Sequence, residues 1–376
     1  MRKIIYISGT RADFGLMEES LKKIHLHPNL SLGVIVTGMH LIKEYGDTWQ
    51  EIENSDLHII AKVPVSLSGS SNLEMACAVG EKIVAFSRIL EKEQPDLLLL
   101  LGDRGEMLAG AIAALHLNIP IVHIHGGERS GTIDESIRHA VSKFAHYHLV
   151  TTENSRERLI RMGERQDNIC VTGAPGLDSI VRLKVAEKGP LFNRYSLNSG
   201  MPLVLILFHP VVQQTGSLSS QVNNLLSVVL ELDIQVLMLM PNSDAGGRLI
   251  KEEITKFQSH KNLKTVVHVP RNDFLSLVFY AEVLVGNSSC GIIESASLAT
   301  PVLNVGTRQK FRERNPNVVD AGTSKTEIRQ GLGKAMDLRG QDWSNVYGNG
   351  CASDNIVRFL DDLTIDKAIL EKVNAY

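Results

Sequence analysis

The sequence predicts an α/β protein made of two Rossmann-like, doubly wound parallel sheets with a ligand cleft between them. Three observations carry this. Short apolar runs recur along the chain, each ending in a polar or glycine-rich break and followed by a longer stretch of helical periodicity, the alternation that builds βαβ units. Runs such as "LLLLL" are apolar on both faces, as strands are when helices cover a parallel sheet on each side. The 376 residues exceed the length at which one hydrophobic core stops growing, so two domains are expected.

In order, the first half supplies strands in "KIIYISG", "LSLGVIVTG", "DLLLLLGDR", "IPIVHIHGG", "YHLVTTE" and "NICVTGAP". The second supplies "PLVLILFHP", "IQVLMLMP", "KTVVHVP", "AEVLVGNSS" and "PVLNVGTR". Patterning is weakest over residues 181–202, which mix charge with Gly, Pro, Asn and Ser, and the junction is placed there. The chain thus divides into residues 1–185, residues 186–354 and a terminal segment 355–376, in which "IVRFLDDL" resumes helical spacing.

Composition narrows the function classes. Hydrophobic residues are 43%, charged residues 22% and net charge is −3, an ordinary globular balance that argues against a nucleic-acid binder. "MRKIIYISGTRADFG" reads as a first strand rather than a signal peptide, and no apolar run approaches the ~20 residues that cross a bilayer. A cytoplasmic protein with no membrane partner is expected. Cys77, Cys170, Cys290 and Cys351 form no C-x-x-C pair, so they are read as buried small hydrophobes.

In open parallel sheets ligands collect beyond the carboxyl ends of the strands, and there this sequence is polar. The first half places Arg11 and Asp13, then Asp103, Arg104 and Glu106, then "HIHGGERSGTIDE" at 123–135. The second places His209, Asn242 with Asp244, Ser288 with Ser289 and Glu294, and Arg308. One polar residue at a strand end is as often a cap or turn former. Clusters at equivalent places in both halves point instead to one ligand held between two domains.

"GNSSCG" puts hydroxyls at an expected helix N-terminus, where free amides and the dipole favour phosphate. Arg308, Arg11 and Arg104 add cations, so a diphosphate fits; Lys310, Arg312 and Arg314 read as a solvated basic loop. "GTRADFG" lacks the dinucleotide fingerprint, and no P-loop or H-E-x-x-H occurs. His123 and His125, two apart on a strand, cannot easily chelate one ion. No metal and no cofactor are therefore expected. Asp103, His125, Glu128 and Asp134 would instead meet as an acid–base group, while His123, His139, His146 and His148 read as structural and Asp134 also as a helix cap. Gly126 and Gly127 are expected to let the backbone pass close to a ligand.

With these residues in view, the sequence resembles the UDP-N-acetylglucosamine 2-epimerase family, in its hydrolysing branch. The resemblance rests on "GTRADFG", "VTGMHL" with "EYGDT", "LGDRGEMLA", "HIHGGERSGTIDESIRHAVSKFAHYHLV", "RMGE", "FHP", "PNSDAG", "VGNSSCGIIES", "VGTRQKFRERNPNVVD" and "NVYGNG", running from residue 9 to about 350. It implies a GT-B fold with nucleotide on the second domain, sugar facing the first, and the last helix packed back on the first. The implied reaction removes the C2 proton, eliminates UDP to give a 2-acetamidoglucal, and adds water, releasing N-acetylmannosamine for sialic or other nonulosonic acid synthesis.

By resemblance, Asp103, the "HGGE" segment with His125 and Glu128, and Asp134 handle protons. Ser288, Ser289 and Arg308 hold the diphosphate, Glu294 takes the ribose, His209 assists the leaving group, and Arg11, Arg104, Asn242 and Asp244 complete the UDP-sugar site. Some members have "EGGE", with a glutamate where His125 stands, which leaves the base open between His125 and Glu128. UDP-N,N'-diacetylbacillosamine competes as substrate, the non-hydrolysing epimerase is the alternative reaction, and a glycosyltransferase or a sugar-nucleotide sensor are readings from other classes. A homodimer or homotetramer is implied.

Overall fold

The computed structural model describes residues 1–66 and 71–376. Its first lobe is a seven-stranded parallel sheet in the order β3-β2-β1-β4-β5-β6-β7. The strands are β1 Arg2–Ser8, β2 Leu30–Thr37, β3 Ile59–Val63, β4 Leu97–Leu101, β5 Ile121–Ile124, β6 Tyr147–Val150 and β7 Ile169–Val171. The second lobe is a six-stranded parallel sheet in the order β10-β9-β8-β11-β12-β13. Its strands are β8 Leu203–Leu207, β9 Gln235–Leu239, β10 Leu263–Val266, β11 Val283–Gly286, β12 Val302–Val305 and β13 Val318–Ala321.

Both lobes follow the same doubly wound order, 3-2-1-4-5-6 when each is numbered from its own first strand, with β7 added at the edge of the first. The α/β expectation is met in both halves. Each sheet is buried on both faces: Ile4, Tyr6, Leu97 and Leu99 belong to one core of the first lobe, and Ile5, Ile7, Leu98 and Leu100 to the other. The second lobe divides in the same way, Leu205 and Leu237 on one face, Val204 and Val236 on the other. Strand order reverses between β1 and β4 and again between β8 and β11, and crevices of this topology bind ligands at those points.

β3 and β13 were not among the strands read from the sequence. They lie at sheet edges and are only partly buried, so their sequences "IIAKV" and "VVDA" carry a weaker apolar signal than the central runs. Between the sheets the chain forms helices Gly176–Val181 and Lys188–Arg194, which put Leu177, Ile180, Leu191 and Phe192 into the second lobe's core. The last long helix, Ala352–Asp362, returns to the first lobe, where Ile356 and Leu360 join the core around β1. Asp178 fixes that return by accepting from the Ala352 and Ser353 amides at 3.1 and 3.0 Å. Among the described residues no helix is long and apolar enough to cross a membrane.

Candidate active site

At the first switch point β1 runs into Gly9 and Thr10. Thr10 caps helix Arg11–His25, and the Asp13 carboxylate accepts from the Gly9 and Thr10 amides at 3.0 and 2.6 Å. Burial pushes the Asp13 carboxyl up to about 6. Asp13 is therefore committed to the turn, whereas Arg11 is left with a buried Nη1 that has no partner.

β4 ends in Gly102, Asp103 and Arg104. Arg104 reaches Glu106 at 3.2 Å and, across the cleft, Asp244 at 2.9 Å. Glu106 also meets buried Lys82 at 3.0 Å; burial opposes its ionisation, but Lys82 and Arg104 outweigh it and hold the carboxyl at about 2. Asp103 is ion-paired with Arg138, the largest fully buried side chain of the protein. Arg138 follows Asp134 by one turn on helix Ile133–Phe144, so one helix face presents both to the cleft.

Beyond β5, His125 takes a left-handed backbone, φ +63°, which costs a non-glycine residue on the order of 1 kcal/mol. Its amide donates to the Leu149 carbonyl of β6 at 3.1 Å. Nδ1 faces Glu128 at 3.0 Å, and Nε2 is buried with no partner among the described residues. Glu128 accepts from the Thr151 hydroxyl at 2.9 Å and meets Arg312 of the second lobe at 2.5 Å. Burial alone would raise its carboxyl; Arg312 and His125 bring it to about 2.

The second lobe contributes a different chemistry. Asn287 ties the two switch strands, accepting from the His209 amide at 2.7 Å and donating to the His209 carbonyl at 2.8 Å. β11 can approach β8 there because Gly286 has φ +137°; a Cβ would lie 1.9 Å from the Leu207 carbonyl. The His209 Nδ1 has no partner among the described residues, and burial with Arg308 nearby pushes its imidazole down to about 3, so it is neutral at pH 7. Ser288 is the N-cap of helix Ser289–Ile293 without a side-chain cap bond. Arg308 bonds the Asn287 carbonyl at 3.2 Å and meets Asp134 at 3.5 Å. Glu294 is ion-paired with Arg271, which also donates to Gly176 and Ser179 near the lobe junction at 3.1 and 3.2 Å.

Over residues 22–361 the sequence matches the UDP-N-acetylglucosamine 2-epimerase family. The chain belongs to that family. Among epimerase relatives it is 45% identical over 376 residues, the full length of both proteins, to the UDP-N,N'-diacetylbacillosamine 2-epimerase (hydrolyzing) of Legionella pneumophila. It is 33% identical over 365 residues, 96% of this chain and 94% of the other, to the UDP-N-acetylglucosamine 2-epimerase of Neisseria meningitidis. The solved UDP-GlcNAc 2-epimerase of Methanocaldococcus jannaschii, in complex with UDP-GlcNAc and UDP, aligns with a TM-score of 0.81 at 22% identity, covering 96% of this chain and 99% of that one. At that identity the match speaks for a shared fold.

Within this epimerase fold, ion pairs connect Asp103, His125 and Glu128 through Arg138, a separate pair joins Asp134 to Arg308, and Arg104 meets Asp244 and through it Asn242. His209 lies within electrostatic reach of Arg308, Asp244 and Arg104. Arg11 sits in a second group with Arg271 and Glu294. Ser288 and Ser289 stand half-buried at the end of β11.

Several sequence expectations are corrected. Arg312 is not a solvated loop residue; its side chain is 8% exposed and paired with Glu128. Gly126 and Gly127 do not open the way to a ligand: a Cβ on Gly127 would meet the Ser155 carbonyl at 2.4 Å, and one on Gly126 the side chains of His123 and Ser142. Gly127 lets the loop pack on helix Glu153–Arg161, and Gly126 lets it pack on His123 and on Ser142 of helix Ile133–Phe144. Cys77 and Cys351 are exposed rather than buried. The N-cap of helix Ile133–Phe144 is Thr132, which leaves the Asp134 carboxylate for Arg308. His123, by contrast, is satisfied as a structural residue, as expected, bonded to Ser142 at 3.0 Å and the Gly102 carbonyl at 2.8 Å. Arg138, Arg271 and Arg312 were missed. Arg138 was accessible in principle, since an arginine four residues after an acid shares its helix face.

Proposed function

We propose that this chain is a hydrolysing UDP-sugar 2-epimerase and that its substrate is UDP-N,N'-diacetylbacillosamine. The observation that carries the reaction is the buried His125 Nε2, unpartnered among the described residues, beside Glu128 in one ion-pair network with Arg138, Asp103 and Arg312. The substrate choice rests on the full-length 45% identity to the Legionella protein of that activity. UDP-N-acetylglucosamine is the second reading, favoured by the 33% identical Neisseria relative.

In the proposed reaction His125 Nε2 takes the C2 proton while the C1–O bond to UDP breaks, its electron pair leaving on the diphosphate. The C2–H pair becomes the C1=C2 bond of the glycal. Water oxygen then bonds to C1, a proton is delivered to the opposite face of C2, and the free sugar departs inverted at C2. Asp103 and Asp134, each held by an arginine, supply the acid and base of the hydration. Arg308, Ser288 and Ser289 bind the diphosphate, and neutral His209 donates to the departing oxygen. Glu294, oriented by Arg271, takes the ribose hydroxyls, while Arg11, Arg104, Asn242 and Asp244 line the rest of the cleft. Assembly as a homodimer or homotetramer belongs to the same proposal and is read by light scattering.

The test is to incubate the protein with each UDP-sugar and measure UDP and free sugar together. Equimolar release of both, with higher kcat/KM for the diacetylbacillosamine derivative, is expected. A C2-inverted UDP-sugar with no free UDP would replace hydrolysis by reversible epimerisation. UDP release that requires an acceptor would make the protein a transferase.

A further inference from the structure

The loop after β12 crosses from the second lobe onto the first. Along it Arg308 meets Asp134, and its carbonyl accepts from the Gly131 amide at 3.0 Å. Phe311 lies under the Arg129 guanidinium at 4.5 Å, Arg312 meets Glu128 at 2.5 Å, and Glu313 accepts from Asn154 at 2.8 Å and bonds Thr152. Contacts from four of its residues pin this loop to the ends of β5 and β6.

The Arg312 contact has a chemical consequence two residues deep. An ionised carboxylate is an acceptor only. Glu128, kept ionised, must accept from His125, so the imidazole carries its proton on Nδ1 and leaves the Nε2 lone pair free. That is the tautomer a general base needs. Were Glu128 protonated, its hydroxyl could donate to Nδ1 instead, and the ring proton would sit on Nε2, where it blocks abstraction. Thr151, a neutral donor, does not decide this. Arg138 stands 3.9 Å from Glu128 and is already paired with Asp103. Among the described residues Arg312 is the cation closest to Glu128, and it belongs to the opposite lobe.

We propose that Arg312 is a positioning residue that completes the proton-transfer group only when the lobes are closed, by fixing Glu128 as an ionised acceptor and hence His125 in its Nδ1–H tautomer. Arg308, four residues earlier on the same loop, is the residue read above as holding the diphosphate. Nucleotide capture and base activation are then coupled: a UDP-sugar that draws this loop into place also arms His125, and an open enzyme does not strip the C2 proton. The inference rests on the proposed reaction for its meaning, but the tautomer itself does not depend on any substrate.

The test uses the full chain with Arg312→Met, Arg312→Lys, Glu128→Gln and the double variant Glu128→Gln/Arg312→Met. Loss of Arg312 should lower kcat by roughly 10²-fold and leave KM and UDP affinity within about threefold, since the Arg312 guanidinium is taken up by Glu128. The lysine variant should recover part of kcat. The double variant should be no slower than Glu128→Gln, because Arg312 acts through Glu128. It also leaves no unpaired buried charge, so it keeps the test valid if Arg312→Met does not fold. Wild-type kcat in Arg312→Met, or losses in the double variant that multiply, overturns the proposal. Imidazole ¹⁵N shifts of His125 with UDP bound give a readout without turnover: Nδ1–H in the wild type, mixed in Arg312→Lys and in Glu128→Gln/Arg312→Met. Unchanged Nδ1–H in both variants overturns it, whereas absence of wild-type turnover with every UDP-sugar counts against the proposed reaction alone.

Discussion

The two lobes share one topology but leave their strand ends in different states. In the first, the carboxylates are engaged: Asp103 by Arg138, Glu106 by Lys82, Glu128 by Arg312 and Asp134 by Arg308. In the second, Asp244 and Arg308 are engaged by first-lobe partners, while among the described residues the His209 Nδ1 has no partner and the Ser288 hydroxyl does not cap its helix. Acids held by fixed counter-charges need little reorganisation when a proton moves. Open donors retain their capacity for an incoming anion. In the proposed reaction one strand order thus serves two tasks, proton transfer on one side and nucleotide binding on the other.

Substitutions on the two sides should separate those tasks. His125→Ala is expected to cost roughly 10²- to 10⁴-fold in kcat with UDP affinity retained, measured by steady-state kinetics beside isothermal titration with UDP. Arg308→Met should do the converse, weakening UDP by about 1.5–3 kcal/mol, the worth of a charge-assisted hydrogen bond, with a smaller change in kcat. Loss of UDP binding in the first variant, or of kcat alone in the second, would break the division.

Acid should also weaken the first lobe. Glu106, Glu128 and Glu164 of the first lobe are each held at about 2, against an ordinary ~4.3 in the unfolded chain. Their folded pKa values are depressed, so they stabilise the fold fully above the unfolded value and lose that contribution as pH falls toward 2. Glu164 is bound by Lys143 at 2.7 Å, Lys372 at 2.6 Å and His148 at 2.9 Å. Glu164→Gln should flatten the fall of Tm between about pH 4.5 and 2 in calorimetry; an unchanged slope would remove Glu164 from the account. The smallest effect is expected at the rim: Lys251→Ala breaks the 2.5 Å pair with exposed Glu44 and should shift stability by less than ~1 kcal/mol.

The fold was legible where burial is two-sided. Central strands such as Leu97–Leu101 have no polar face and announce themselves, whereas edge strands β3 and β13 look outward and did not. At the site, the residues that end strands could be read, because topology alone brings strand ends together. Arg312 could not, because what defines it is a partner distant in sequence, Glu128 in the opposite lobe; Arg138 could be placed on the helix face of Asp134, but its pairing with Asp103 appears only in the fold. A basic run, "TRQKFRER", reads the same whether it meets water or a buried carboxylate. His125 was picked out but not assigned, since its φ of +63° and its bond to Glu128 appear only when the loop is folded.

The central claim is that this family member breaks the glycosyl bond by way of the C2 proton. It is tested most directly by turnover of UDP-N,N'-diacetylbacillosamine in deuterated water, followed by NMR. One deuterium at C2 of a free, C2-inverted sugar, appearing in step with UDP, is the predicted result. Release of UDP with the C2 proton retained would contradict it.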